Sequence, residues 1–170
     1  VHSHCWGFVT KLNQMHQQQD LIEIVGISDD NQELRDYIKT LVPGVPVYDS
    51  YAKMLDEKKP EVVWSFVEND RHLEITKACA ARKIHVMFEK PMSATYDEAK
   101  QMMAVAKQAG IQLMVNYQMA WWPENYTAHD VAMRGDIGKV WRVRSVIGHG
   151  GPGNFEPGSI KQKYLDRKSV

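Results

Sequence analysis

Stretches suited to β-strands alternate with helical patterns along most of the chain, and this alternation constrains the fold more than any other feature. Successive elements of one kind recur about every 20 to 25 residues. Such spacing is typical of a parallel sheet whose strands are joined by right-handed helical crossovers. We therefore predict a doubly wound α/β fold. The predicted strands lie at residues 21–27, 47–48, 61–66, 84–89, 111–116 and 140–147.

Capping signals place the helices between these strands. Asp30 or Asn31 is suited to cap one helix, Ser50 a second, and Ser93 or Thr95 a third that ends before Gly110. The predicted helices lie at residues 8–19, around 34–38, at 51–57, 69–81, 95–109 and 123–134.

The alternation begins with a helix, whereas a doubly wound fold opens with a central strand and a glycine-rich turn. We expect both to lie upstream of Val1 or to be absent, and we expect this chain to be a piece of something longer. The last stretch, residues 148–158, is rich in glycine and proline and is predicted to be a loop.

Composition excludes several classes of partner. The 170 residues carry a formal net charge of zero and no basic stripe, so a nucleic-acid partner is not expected. No apolar run approaches the length needed to cross a membrane. Two distant cysteines, Cys5 and Cys79, favour a reducing compartment. We therefore expect a cytoplasmic protein, with an export signal upstream of Val1 left open.

The predicted strand at 84–89 leads directly into Lys90 and Pro91. Proline cannot donate to a sheet ladder, so pairing should stop there, and it biases Lys90 toward an extended backbone. Glu89 and Lys90 then lie at the carboxyl end of a strand, where open α/β sheets bind their ligands. A lysine held there can contact a cofactor and a substrate together. The alternative is an ordinary solvated Glu-Lys pair.

Asp29 ends the strand that follows the first predicted helix, where an acid takes the ribose hydroxyls of a dinucleotide. Asp30 follows it, and no Arg or Lys is expected nearby to neutralise a 2′-phosphate. This pattern favours NAD over NADP. The alternative is that Asp29 or Asp30 only caps the next helix.

Two other pairs of residues are open to more than one interpretation. His2 and His4 alternate like metal ligands, but terminal histidines are more typical of loops, and we predict no metal site. Trp121 and Trp122 suit either a sugar-binding platform or packing between domains.

Taken in order, five segments resemble the glucose–fructose oxidoreductase, inositol dehydrogenase and rhizopine-catabolism family, written Gfo/Idh/MocA. The match extends over essentially all 170 residues. The segments are the strand ending at Asp29, the stretch 45–55, the strand and Asn-x-x-His element ending at His72, the Glu-Lys-Pro signature at Glu89–Pro91, and the stretches 115–117 and 134–140.

The resemblance implies a Rossmann-type NAD(P)-binding domain over residues 1–119, incomplete at its start. Residues 120–170 would begin a second, α+β domain for substrate binding and oligomerisation. It implies that Lys90 points at the nicotinamide and the reacting hydroxyl, as a catalytic and substrate-binding residue. The other implied cofactor contacts are His4, Asp29, Phe66, Val67, Asn69, His72 and Glu89, and the implied substrate contacts are Tyr117 and Trp121.

Three departures from the family pattern bear on function. Val67 and Glu68 replace a usual Thr-Pro, and Gln118 replaces a common Arg. The family's general base is a His in an Asp-x-x-x-His element, which is expected beyond Val170.

The resemblance implies hydride transfer between NAD and a sugar, cyclitol or related polyol, with NADP the less favoured cofactor. Two alternatives stay open: an NAD-binding regulatory protein without turnover, and an enzyme that uses NAD non-consumptively to cleave or rearrange a sugar. The implied partners are a small sugar or polyol and further copies of the chain, joined through the sheet of the second domain.

Overall fold

The computed structural model of the protein describes residues 5–18, 21–146 and 148. The described residues fall into two compact units, which meet along the chain between Val115 and Asn116. The first unit carries most of the secondary structure. The predicted boundary at residue 119 stays a prediction.

The first unit contains two parallel strand pairings. In one sheet β1 (Ile27–Ser28) pairs with β2 (Val47–Tyr48), with Ile27 opposite Val47. In the other sheet β3 (Val62–Ser65) pairs with β4 (His85–Glu89), with Ser65 opposite Phe88, and β5 (Leu113–Asn116) lies on the other side of β4. Parallel pairs joined through helices confirm the predicted α/β class.

Six α-helices lie within the described residues, and several begin or end at the predicted caps. Asn31 accepts hydrogen bonds from the N–H groups of Glu33 and Leu34, and Ser50 accepts one from Lys53. The helices are α1 (Cys5–Gln17), α2 (Gln32–Leu41), α3 (Tyr51–Lys58), α4 (His72–Ala80), α5 (Tyr96–Ala109) and α6 (Pro123–Arg134).

The longest helix of the first unit, α5, has a complete cap at each end. Thr95 and Glu98 form a reciprocal capping box at its start. Gly110 ends it at φ +71°, a left-handed conformation that glycine adopts without steric cost. Thr95 is therefore the cap, of the two residues predicted, and Gly110 is the predicted stop.

Of the predicted strands, the one at 21–27 is wrong in extent and the one at 140–147 is wrong throughout its described residues. Of residues 21–27, only Ile27 belongs to a strand, because its partner β2 is two residues long and offers no further backbone groups to pair. Residues 140–146 form no strand, and all of them are exposed. An alternating pattern needs a neighbouring strand to become a ladder, and the described residues supply none there.

Two apolar clusters hold the first unit together. The larger lies between β4 and helices α3, α4 and α5, and the smaller joins α1 to α2. The fully buried side chains of the larger cluster include Leu55, Cys79, Val86, Phe88 and Met102, and those of the smaller one are Cys5, Leu34 and Ile38.

Within the part of the chain that the structure describes, no helix is both long enough and apolar enough to cross a membrane.

Candidate active site

The candidate site lies where β1, β3 and β4 end. The parallel pairings put the carboxyl ends of paired strands at one edge. The two sheets also approach each other at this end, because Arg71, which follows β3, lies 3.5 Å from the carboxylate of Asp30, which follows β1. The loops after β1 and β3 therefore meet, although the two strands belong to different sheets.

Strand β4 ends at Glu89, and Lys90 follows it as the sequence predicts. The side chain of Glu89 is 3% exposed, whereas Lys90 is exposed. The peptide bond between Lys90 and Pro91 is cis. The site thus presents an accessible ammonium directly beside a buried acidic residue.

His72 lies beneath this edge, with none of its surface exposed. Its Nδ1 is 3.0 Å from the carbonyl oxygen of Met92, and its Nε2 is 3.3 Å from that of Val67. A neutral imidazole donates from one nitrogen at a time, whereas an imidazolium donates from both. In either state the ring joins the loop after β3 to the turn after Lys90. The predicted dinucleotide contact of His72 stays a prediction.

The loop after β3 contains three other predicted cofactor contacts. Phe66 is half-buried, and its ring packs 5.1 Å from Trp64 and 6.2 Å from Phe8, so that it joins β3 to α1. Val67 is half-buried and presents its carbonyl group to His72. Asn69 begins a short 3-10 turn that leads into α4.

Asp29 directly follows β1. Its Oδ1 accepts a hydrogen bond of 2.8 Å from the N–H of Asn31, and Asn31 caps α2. Of the residues predicted as possible caps, Asn31 is the one that performs this role. Asp29 therefore lies at the strand end where a ribose-binding acid is expected.

Two arginines lie close to Asp29 and Asp30, so the expectation that no Arg or Lys stands nearby is wrong. The Arg35 Nη1 donates to the carbonyl oxygen of Asp29 at 2.8 Å. Arg71 pairs with Asp30 across the two loops. Arg35 could have been found from the sequence, because it lies one turn inside the helix that Asn31 caps. Arg71 could not, since it is far from Asp30 along the chain and only the fold brings them together.

The remaining predicted residues lie elsewhere. Tyr117 and Trp121 belong to the second unit, where their side chains are 55% and 65% exposed. Their predicted role as substrate contacts stays a prediction. His4 lies outside the described residues.

The side chains at this edge are chemically suited to bind a dinucleotide. An acid at the end of β1 suits ribose hydroxyls, and an exposed lysine after β4 suits the reacting end of a cofactor and its substrate. No group of three or more His, Cys, Asp or Glu residues within the described part of the chain is arranged to hold a metal ion.

Known proteins that are similar to this chain are oxidoreductases. A family model described as an oxidoreductase family with an NAD-binding Rossmann fold matches residues 7–117. The trans-1,2-dihydrobenzene-1,2-diol dehydrogenase of Mus musculus is 25% identical over 141 residues, which are 83% of this chain and 42% of that protein. The D-xylose 1-dehydrogenase (NADP(+)) 2 of Haloferax volcanii is 29% identical over 103 residues, 60% of this chain and 31% of that protein.

Among solved structures, the WlbA dehydrogenase of Bordetella pertussis in complex with NADH and UDP-GlcNAcA superposes with a TM-score of 0.71 at 22% identity. The match covers 81% of this chain and 42% of that one, and it shows a shared fold. The chain spans less than half the length of these relatives. Because the family model covers well over half of the chain, the protein belongs to the Gfo/Idh/MocA oxidoreductase family, whose matched domain is an NAD-binding Rossmann fold.

Proposed function

We propose that the protein is a nicotinamide-dependent oxidoreductase that transfers hydride between NAD and a CH–OH group of a sugar, cyclitol or related polyol. The observation that carries this proposal is the exposed Lys90 directly after β4, at the carboxyl edge of a sheet in an NAD-binding family. The other cofactor contacts are proposed to be Asp29, Phe66, Val67, Asn69, His72 and Glu89, with His4 among them on the grounds of its place in the family pattern.

Lys90 acts on the oxygen of the reacting alcohol. Bound NAD would supply the hydride acceptor for the carbon that carries this oxygen. The oxygen gains negative character as the hydride leaves, and the Lys90 ammonium stabilises that charge. The alcohol is oxidised to a carbonyl group and loses one proton. A base accepts this proton, and the family pattern implies that it is a histidine of an Asp-x-x-x-His element.

Two buried groups hold Lys90 in place. Glu89 is fixed within the end of β4, and His72 contacts the carbonyl group of Met92, two residues beyond Lys90. A fixed backbone limits the positions from which the Lys90 ammonium can reach the substrate oxygen, and such a limit lowers the cost of reorganisation during the reaction.

The substrate class is proposed from the names of relatives and from the chemistry of the site. One relative is named for oxidation of D-xylose, and one structure of the same fold contains UDP-GlcNAcA. Tyr117 and Trp121 are proposed to contact the substrate, because aromatic rings suit the apolar faces of a sugar.

The test is calorimetric titration of the intact protein with NAD and with NADP, followed by a screen of sugars and cyclitols for NADH formation. NAD binding with turnover of one such alcohol is the expected result. NAD binding with no turnover would favour a regulatory protein. Product formed while bound NAD shows no net change in redox state would favour non-consumptive use of the cofactor.

We also propose a cytoplasmic location and a homo-oligomeric state. Cys79 is buried as a free thiol, which suits a reducing compartment. Apolar side chains beyond α6 are strongly exposed, with Trp141 at 84%, and apolar side chains that form a contiguous exposed patch are typical of surfaces covered in an assembly. Sedimentation of the intact protein tests the oligomeric state, and a monomer at all concentrations would contradict it.

A further inference from the structure

Arg71 lies at the centre of a charged cluster that joins three elements of the first unit. Its guanidinium is 3.5 Å from Asp30, 3.9 Å from Glu68 and 3.6 Å from Glu74. Asp30 belongs to the loop after β1, Glu68 to the loop after β3, and Glu74 to α4. We call Arg71, Asp30, Glu68 and Glu74 the Arg71 cluster.

The cluster lies beside the proposed ribose-binding acid. Asp30 is the next residue after Asp29, and its carboxylate is the group that pairs with Arg71. A phosphate on the 2′ oxygen of a ribose bound by Asp29 would therefore come close to Arg71. Arginine is the side chain best suited to hold such a group, because its planar fork binds phosphate through two hydrogen bonds.

The three carboxylates already occupy this arginine. One guanidinium faces three acids, so the cluster has a formal net charge of −2. Glu74 is itself anchored, because the hydroxyl of Tyr51 donates to it at 2.5 Å. That hydrogen bond raises the pKa of Tyr51 above its ordinary value, so the phenol keeps its proton and remains a donor to Glu74. A phosphate group would have to displace acids from Arg71 in a region that already repels it.

The ion pairs within the cluster are long. None of the three distances is below 3.5 Å, and the Arg71 side chain is 34% exposed. Exposed pairs of this kind are individually weak. Each ion pair is weak, and it is the three acids together that keep Arg71 from binding another anion. Removal of two of the acids should therefore leave its guanidinium available.

We propose that the Arg71 cluster discriminates between the two dinucleotides: it accepts a 2′-hydroxyl and rejects a 2′-phosphate, because Asp30, Glu68 and Glu74 keep Arg71 from binding the phosphate. Glu68 thereby acquires a role, as an acid that holds Arg71 in the loop where the family usually has Thr-Pro. This inference rests on the proposed function, since it concerns how the same site chooses its cofactor.

The experiment compares dissociation constants for NAD and NADP, by calorimetry on the intact protein, in the wild type and in an Asp30→Asn, Glu68→Gln double variant. From the wild type to the double variant, we expect the dissociation constant for NADP to fall at least about tenfold relative to that for NAD, which is equivalent to about 1.4 kcal/mol. Addition of Arg71→Ala to the double variant should abolish this gain, because the gain depends on the released guanidinium. The gain should also shrink at high ionic strength.

Asp56→Asn is the matched control. Asp56 is an exposed acid that pairs with Arg82 at 2.6 Å and belongs to α3, and its loss should leave the NAD-to-NADP ratio unchanged. If the double variant binds NAD but its NAD-to-NADP ratio is unchanged, this inference is wrong and the proposed function is unaffected. The same holds if the gain in NADP binding survives Arg71→Ala. Failure of the wild type to bind either dinucleotide would overturn the proposed function and this inference with it.

Discussion

The imidazole of His72 stacks on the ring of Phe88, with ring centroids 4.4 Å apart and an interplanar angle of 27°. Both side chains are fully buried, and Phe88 lies in β4 immediately before Glu89 and Lys90. One face of His72 therefore packs on the strand that carries the candidate catalytic lysine, while its nitrogens reach the carbonyl groups of Val67 and Met92. The His72 ring therefore connects the apolar core to the loops at the edge of the site.

His72→Phe should destabilise the protein although it keeps the ring. Phenylalanine can still stack on Phe88, but it cannot donate to the two carbonyl oxygens, and we expect a loss of about 1–3 kcal/mol in the free energy of unfolding. His72→Ala should cost more, about 2–5 kcal/mol, because it also leaves a cavity. Urea unfolding measures both. Lys77→Ala, on the exposed face of the same helix, is the control, and equal stability of His72→Phe and wild type would contradict the assignment.

Lys90→Ala should abolish most turnover and leave NAD binding within about tenfold, because an interaction made in the transition state affects kcat more than affinity. Loss of one such electrostatic group lowers kcat by about 10²–10³. Steady-state kinetics with a substrate found in the screen, together with calorimetry of NAD binding, separates the two effects. Lys107→Ala, an exposed lysine on α5, should behave as wild type. An unchanged kcat in Lys90→Ala would remove the catalytic role.

Stability should fall at alkaline pH because of Cys79. Burial raises the pKa of its thiol to about 11, while the charge of Arg82 acts weakly in the other direction. In the unfolded chain the thiol ionises at its lower, ordinary pKa, so the unfolded state loses its proton first. The contribution of the protonated Cys79 thiol to the free energy of unfolding is fully present below the ordinary pKa of a thiol. It is lost as the pH rises toward about 11.

Urea unfolding at pH values of about 8, 10 and 11 measures this effect against a Cys79→Ala variant. All other titrating groups are common to the two proteins, so the difference in pH dependence belongs to Cys79. Parallel stability profiles for the two proteins would show that the thiol is not responsible.

Thr95→Ala should lower the free energy of unfolding by about 1 kcal/mol, the usual cost of losing an N-cap side chain. The substitution leaves the N–H of Glu98 without the Thr95 hydroxyl and breaks the capping box. Gln101→Ala, at an exposed position inside the same helix, should change stability by less than about 0.5 kcal/mol. Equal effects of the two substitutions, measured by thermal unfolding, would argue against the cap.

Features set by neighbouring residues could be predicted from the sequence. The caps formed by Asn31, Ser50, Thr95 and Gly110 involve partners within a few positions, so the local pattern contains the whole interaction. The end of β4 before Pro91 is also local, because proline has no N–H to donate.

Features that depend on distant partners could not be predicted in the same way. Residues 21–27 have the composition of a strand, but only Ile27 has a neighbour with which to pair. The approach of Arg71 to Asp30 depends on how the loops after β1 and β3 meet. The burial of His72 depends on Phe88, which lies in the next strand. The family resemblance drew attention to His72 as an implied cofactor contact. Only the structure shows its stacking on Phe88 and its contacts with two carbonyl groups.

The aromatic cluster between α1 and β3 contains Trp64, whose intrinsic fluorescence depends on its surroundings. The indole nitrogen of Trp64 is buried without a hydrogen-bond partner among the described residues, and its ring lies 5.0 Å from Phe8 and 5.1 Å from Phe66. An indole whose nitrogen is withheld from water emits at shorter wavelength than a hydrated indole. Trp121, Trp122 and Trp141, in the second unit, are exposed and emit as hydrated indoles. The emission of Trp64 can therefore report on the packing of α1 against β3 without any added dye.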